Sequence, residues 1–383
     1  MMFLRGIFWF CLFMVVYSYA VYPILLVLLD KIFKVKKRPD DPMDAPGITI
    51  IISAFNEEGV IAQRIENCLS LNYPKDKMEI IIASDGSNDK TNDIVRSYQD
   101  SGVILLDFNE RRGKVNAIND AVQQAKNEII VFSDANTNFA PDACVMLVRH
   151  FQDKTVGCVC GLLKFVNARG SRTAELEGVY WRYETLIKKM EGKRGALLGA
   201  NGAIYAIRKK LFTICPKDTI IEDFIIPMRV LEKGFKVIYD PEAVAIEESA
   251  KHIIHEKKRR IRIGAGNYQA LLLLWHMLNP LRGFSALAFW SHKVLRWFAP
   301  FALIGMLLLN VFLCAEPIYK VIFILQSVFY ISAIIGQTLS WSGIQIKVFS
   351  LCYYFVSMNL ALLIGFIRFM TGTQDVAWER TGR

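Results

Sequence analysis

From Gly6 to Leu29 the chain carries no charged residue, a run of 24 positions. That is longer than the roughly 20 apolar residues a helix needs to cross a bilayer. A secretory signal has an apolar stretch of only about 7–15 residues before a small-residue cleavage site, so residues 1–30 are expected to stay as an anchor. The flank "KIFKVKKR" (31–38) holds five basic residues in eight, which assigns it to the cytoplasmic side by the bias of basic residues toward that face. Further apolar segments follow at Trp297–Cys314, Ile318–Leu339 and Val348–Ile367. Before them, "LRGFSALAFWSHKVLRW" mixes aromatic and basic residues, as a helix lying in the membrane interface does. The predicted organisation is an anchor (1–30), a cytoplasmic block (45–278), an interfacial helix with about three spans (281–369) and a tail (370–383). Membrane lipids are its expected surroundings, and a plasma or inner membrane its expected location.

The excess of 46 basic over 36 acidic residues would suit nucleic acid, anionic lipid or an anionic substrate. Because the basic residues concentrate at the membrane boundaries, nucleic acid is not an expected partner. The eight cysteines show no zinc-type spacing. Cys158-x-Cys160 sits in an alternating, strand-like "VGCVCG", and neither metal ligation nor a structural disulfide is expected.

Inside 45–278, short apolar runs alternate with helical patterns. "ITIIIS" (48–53) precedes 60–69, "MEIIIAS" (78–84) precedes 91–98, "VILLD" (103–107) precedes 114–125, and "EIIVFSD" (128–134) precedes 141–151. Such a rhythm predicts an α/β domain with a mostly parallel sheet between helices. In open sheets of this kind ligands bind beyond the carboxyl ends of the strands. Those tips are polar here: Ser53-Ala54-Phe55-Asn56-Glu57-Glu58, Asp85-Gly86-Ser87-Asn88-Asp89 and Ser133-Asp134-Ala135-Asn136. Any one of them could be a turn or a helix cap. Three acidic tips on one edge repel unless a cation or a donor-rich ligand sits among them, which points to a nucleotide–metal site. Neither a P-loop nor a dinucleotide-binding glycine fingerprint is present.

Six motifs in order, "AFNEE", "SDGSND", "RRGKVNAIN", "FSDANT", "GANGAIYAIRK" and "IEDFIIPMRVLEKGFKVIYDPEA", resemble the family 2 glycosyltransferases. The likeness is to the membrane branch that includes cellulose, hyaluronan and poly-N-acetylglucosamine synthases. The resemblance implies a GT-A fold and inverting transfer of a sugar from a nucleotide sugar, expected to be UDP-linked, to a growing glycan. A single addition to a lipid-linked or membrane-proximal acceptor is the alternative. A non-catalytic nucleotide-sugar-binding subunit is the reading from another class.

By the same resemblance, Asp85 contacts the uridine, Phe55, Asn56 and Glu57 frame the same nucleoside, and Lys114 reaches the diphosphate; Gly86 is expected to let the chain turn closely against that ligand. Asp134 and Asn136 stand where the family has D-x-D, for a divalent cation (Mg²⁺ or Mn²⁺). The third position is an amide here and brings no charge. Glu222 and Asp223 match the E-D pair, with Asp223 the base, and Gly199, Ala200, Asn201 and Gly202 line the acceptor pocket. Polymer-making relatives carry Q-x-x-R-W on an interfacial helix. This chain has Arg259-x-x-Arg262-Ile263, which keeps an arginine for the diphosphate and lacks the tryptophan that would stack on the acceptor sugar. The tail's Trp378 and Arg383 resemble a C-terminal signature of the branch.

Overall fold

The computed structural model describes residues 1–32, 45–166, 173–248, 253–344 and 346–375. Most of the basic flank after the anchor, as well as Trp378 and Arg383, lies outside the described residues. By internal contacts the chain divides into two units. One comprises 1–33, 170–187 and 253–374; the other comprises 34–169, 188–252 and 375–383.

The second unit is built on one eight-stranded sheet. Its strands in chain order are β1 (Ile48–Ala54), β2 (Met78–Asp85), β3 (Val103–Phe108), β4 (Ile129–Asp134), β5 (Thr137–Phe139), β6 (Val156–Val166), β7 (Tyr205–Arg208) and β8 (Lys236–Glu248), and their spatial order is β3-β2-β1-β4-β7-β6-β8-β5. The first four are mutually parallel, and β6 runs parallel to β8. Pairs β4/β7, β6/β7 and β5/β8 are antiparallel, so the sheet is mixed but mostly parallel. All seven residues of β1 are buried, as a central strand covered on both faces must be. Each fully buried isoleucine in it contributes on the order of 1.5–3 kcal/mol. Parallel register brings Ala54 opposite Ser84, and Ser53 opposite Asp134. The polar tips therefore lie along one edge.

The strand β8 was not foreseen, because Pro241 interrupts its sequence pattern. It survives because the β6/β8 ladder shifts register between Gly161 and Leu162, opposite that proline. Away from the tips, buried Asp240 accepts from Arg149 Nη2 and pairs with His150 Nε2, each at 2.7 Å. This ionic clamp ties β8 to the segment after the Ala143–Val148 helix.

In the first unit, the helix Met2–Ile32 is long and apolar enough to cross a membrane, as are Pro317–Trp341 and Lys347–Met370. Ala299–Leu313, at 15 residues and about 1.5 Å per residue, falls short of a ~30 Å core by itself. It reaches that length only together with Phe284–Trp297, to which it is bent by 55°. An ion pair from Arg5 to Glu316 sets the corner after Leu313 against the start of the N-terminal helix. Gly264 and Gly365 bring the Ile253–Leu273 helix and the last span backbone to backbone; a Cβ on Gly365 would lie 2.6 Å from Ala265 N. Near the π-helical turn Tyr17–Val21, buried Glu184 binds His292 at 3.0 Å and Arg296, whose other nitrogens reach Tyr183 (2.7 Å) and the Ser18 carbonyl (3.2 Å).

Candidate functional site

The tips of β1 and β2 are latched to each other. Asn56 N donates to Ser87 Oγ (3.1 Å), and Asn88 N returns a bond to Asn56 Oδ1 (2.9 Å). Glu57 N donates to Thr91 Oγ1 (2.8 Å), and Lys90 N donates to Glu58 Oε2 (3.1 Å). Asn56 holds a left-handed conformation with φ of 54°, one that asparagine tolerates better than most residues. This explains why the tip carries Asn there.

Asp85 is fully buried, and its two carboxylate oxygens accept from the backbone N–H groups of Arg112 and Gly113, each at 2.8 Å. The carboxylate thus fixes the 110–113 loop that delivers Lys114. Gly86, with φ of 73°, makes the same approach possible. A Cβ there would lie 2.7 Å from Arg111 N and 2.8 Å from Glu110 C, so the close approach expected of this glycine is to the chain's own backbone. The Arg111 guanidinium lies 4.0 Å above the Phe55 ring, closing the same corner.

Lys114 opens the Lys114–Gln124 helix, an unfavourable end for a cation. Its ammonium is held there by Asp134 Oδ1 at 2.7 Å and Glu222 Oε1 at 2.8 Å. Burial alone would push its pKa down; the two carboxylates outweigh that and hold it well above the ordinary lysine value. Lys114 thus joins the β4 tip to the head of the Glu222–Glu232 helix. Glu222 is buried and engaged, whereas the adjacent Asp223 is only half-buried. Gly202 faces both: a Cβ there would stand 3.4 Å from Asp223 Oδ2 and 3.5 Å from Lys114 Nζ.

The glycine-rich stretch is tied to the Asp223 helix by a device that the sequence reading missed. Pro227 lies four residues after Asp223 and has no N–H, so the Asp223 carbonyl lacks its usual helical donor. Ala200 N donates to that carbonyl at 2.8 Å. Gly199 (φ of 78°) packs so close that a Cβ would meet Phe224 Cδ2 at 2.6 Å. Asn201 is largely buried; it accepts from Lys188 Nζ (2.6 Å) and donates to the Gly161 carbonyl (3.0 Å). It braces the loop from behind.

Asn136 Nδ2 donates to Glu247 Oε1 of β8 at 2.6 Å, a partner far away in sequence. Among the described residues no three His, Cys, Asp or Glu side chains form a ready-made metal cluster. The oxygens of Asp134, Asn136 and Glu247 are nonetheless the hard donors that Mg²⁺ or Mn²⁺ prefers. Such ions need only one or two protein carboxylates when phosphates and water complete the shell. Arg259 and Arg262 lie in the other unit, on the Ile253–Leu273 helix, the first exposed and the second half-buried.

Residues 49–212 match Glycosyl transferase family 2. The chain carries a family 2 glycosyltransferase domain. A poly-beta-1,6-N-acetyl-D-glucosamine synthase of Staphylococcus aureus (strain MSSA476) is 28% identical over 250 residues, 63% of this chain and 59% of the relative. The Staphylococcus epidermidis protein of that name is 26% identical over 232 residues, 59% of this chain and 56% of the relative. These matches span less than two thirds of the relatives' own length. Among solved structures, the mannosyltransferase PcManGT from Pyrobaculum calidifontis, in complex with GDP-Man and Mn²⁺, aligns with a TM-score of 0.74 at 20% identity. The alignment covers 96% of this chain and 99% of that one. The fold is GT-A, as the motifs had implied. The family match ends before Glu222 and Asp223, so their assignment rests on motif and geometry.

Proposed function

We propose that the protein is an inverting membrane glycosyltransferase that moves a sugar from a nucleotide sugar to a glycan, with its catalytic domain facing the cytoplasm. The observation that carries this reading is the convergence of Asp85, Lys114, Asp134, the Glu222–Asp223 pair and Gly202 at one sheet edge. Asp223, the accessible member of its pair, removes the proton of the acceptor hydroxyl as that oxygen attacks the anomeric carbon from the face opposite the leaving diphosphate. Gly202 leaves room beside Asp223 for the acceptor. Lys114 compensates charge at the diphosphate. Phe55, Asn56, Glu57, Asp85 and Gly86 form the nucleoside wall, with Asp85 shaping it through the 110–113 loop. A divalent cation held at Asp134 and Asn136 supplies Lewis-acid stabilisation of the leaving diphosphate when bound.

The relatives' names support a polymeric β-linked glycan as product. The missing Q-x-x-R-W tryptophan favours the second reading, a single addition to a lipid-linked or membrane-proximal acceptor. The test is nucleoside-diphosphate release by detergent-purified protein across a panel of UDP- and GDP-sugars, with and without Mn²⁺ or Mg²⁺, followed by sizing of the product. Metal-dependent release with one donor is expected. Silence across the panel with native-membrane acceptors supplied would refute the enzyme reading and leave the binding-subunit alternative.

A further inference from the structure

The third position of the D-x-D motif is Asn136, and the structure pairs it with a carboxylate from elsewhere in the chain. The contact is set by the backbone. Strand β5 pairs antiparallel with β8, and Thr137 stands directly opposite Glu247. Residues so paired project from the same face with Cβ atoms about 4.5–5.5 Å apart. Asn136, one residue earlier, completes the approach with its 2.6 Å bond to Glu247 Oε1. Glu247 is half-buried near the end of β8, where a carboxylate keeps access to solvent and to an ion.

A second observation points the same way. Thr137 has no exposed surface, and its hydroxyl oxygen has no hydrogen-bond partner. A buried hydroxyl without a protein partner is uncommon and costly, and a water molecule or an ion is one way to satisfy it. It lies on the sheet face that carries Glu247.

We infer that Glu247 supplies the carboxylate that position 136 lacks. The divalent cation would then be held by Asp134 and Glu247, with Asn136 orienting Glu247 between the strands. This rests on the metal-assisted reading above and deepens it. Two carboxylates meet the usual protein share of a Mg²⁺ or Mn²⁺ shell whose other positions belong to phosphates and water. The arrangement conserves the charge of a D-x-D site while moving one carboxylate to another strand.

The test is direct Mn²⁺ binding by the full-length detergent-purified protein, read from the free-ion electron paramagnetic resonance signal, alone and with UDP or GDP. Glu247→Gln keeps an acceptor for the Asn136 amide and removes only the charge. We expect it to weaken Mn²⁺ binding by roughly tenfold or more, as Asp134→Asn does, with an unchanged apparent Tm. The double variant Asn136→Asp/Glu247→Gln, which returns the carboxylate to its motif position, should recover most of the lost affinity. Wild-type affinity in Glu247→Gln, with Asp134→Asn defective, overturns the inference and leaves the metal site standing. The absence of Mn²⁺ binding by the wild type under all three conditions overturns the metal-assisted reading itself, and this inference with it. A Glu247→Gln loss that Asn136→Asp does not recover assigns Glu247 a packing role and also overturns the inference.

Discussion

Replacing Pro227 by alanine should make the domain more stable and the enzyme slower. A proline inside a helix costs up to about 3 kcal/mol relative to alanine, because it lacks an N–H and crowds the carbonyl four residues back. Here that carbonyl belongs to Asp223 and is taken by Ala200 N at 2.8 Å. Alanine at 227 brings a competing donor, which restores the helical bond and displaces the loop. The displaced loop bond contributes about 0.5–1.5 kcal/mol net. The difference leaves a gain of about 1.5–2.5 kcal/mol, or roughly 3–10 °C in apparent Tm for a domain of this size. Release of residues 199–202 from Asp223 should lower kcat by roughly ten- to a hundredfold through misplacement of the acceptor, with donor KM within about twofold. Thermal unfolding in detergent and steady-state kinetics with saturating donor measure both. A variant that is destabilised, or stabilised with unaltered kcat, refutes the claim that the proline exists to free this carbonyl.

Removing the cation between Asp134 and Glu222 with Lys114→Met leaves buried negative charge uncompensated. It should cost about 3 kcal/mol, seen as a fall of roughly 6–12 °C in apparent Tm. Gly86→Ala meets backbone at 2.7 Å and cannot relax without moving the 110–113 loop; donor KM should rise while acceptor KM holds. Asp223→Asn should abolish transfer and retain nucleotide binding by calorimetry, and loss of binding would make Asp223 structural. For Asp240, burial alone would raise the carboxyl pKa, but the bonds from His150, the Glu242 amide and Arg149 outweigh this and hold it below the usual carboxylate range. A lowered native value stabilises above the unfolded pKa of about 3.9 and is lost as pH falls through the native one. Asp240→Asn should therefore be less stable than wild type at pH 7, and the gap should close on acidification below about pH 4.

The first four strands were legible because their apolar runs and polar ends follow chain-local rules: β1, β2, β3 and β4 fall within a residue or two of 48–53, 78–84, 103–107 and 128–134. The helices after the second and fourth strands came out shorter than their patterns, ending at Arg96 and Val148 and passing into tighter turns. What stayed hidden is non-local. Pro227 could have been noticed as a proline four residues beyond the candidate base, but nothing local names Ala200 as the group that profits. Glu247 lies 111 residues from Asn136, and a three-residue strand such as β5 leaves too little pattern to reveal the pairing that joins them. The role of Asp85 as a holder of the Arg112 and Gly113 amides was likewise invisible, since "SDGSND" gives no hint that a backbone loop from beyond β3 folds over it.

On the proposed donor site, the reciprocal bonds between the β1 and β2 tips have a thermodynamic consequence. A wall whose two segments already restrain each other loses little freedom when a nucleoside settles against it. The ordering penalty of donor binding then falls on side chains such as Arg111, rather than on the main chain. Cutting one strut, for instance with Ser87→Ala, would therefore leave the contact surface intact and show itself calorimetrically, as a more unfavourable entropy of nucleotide binding.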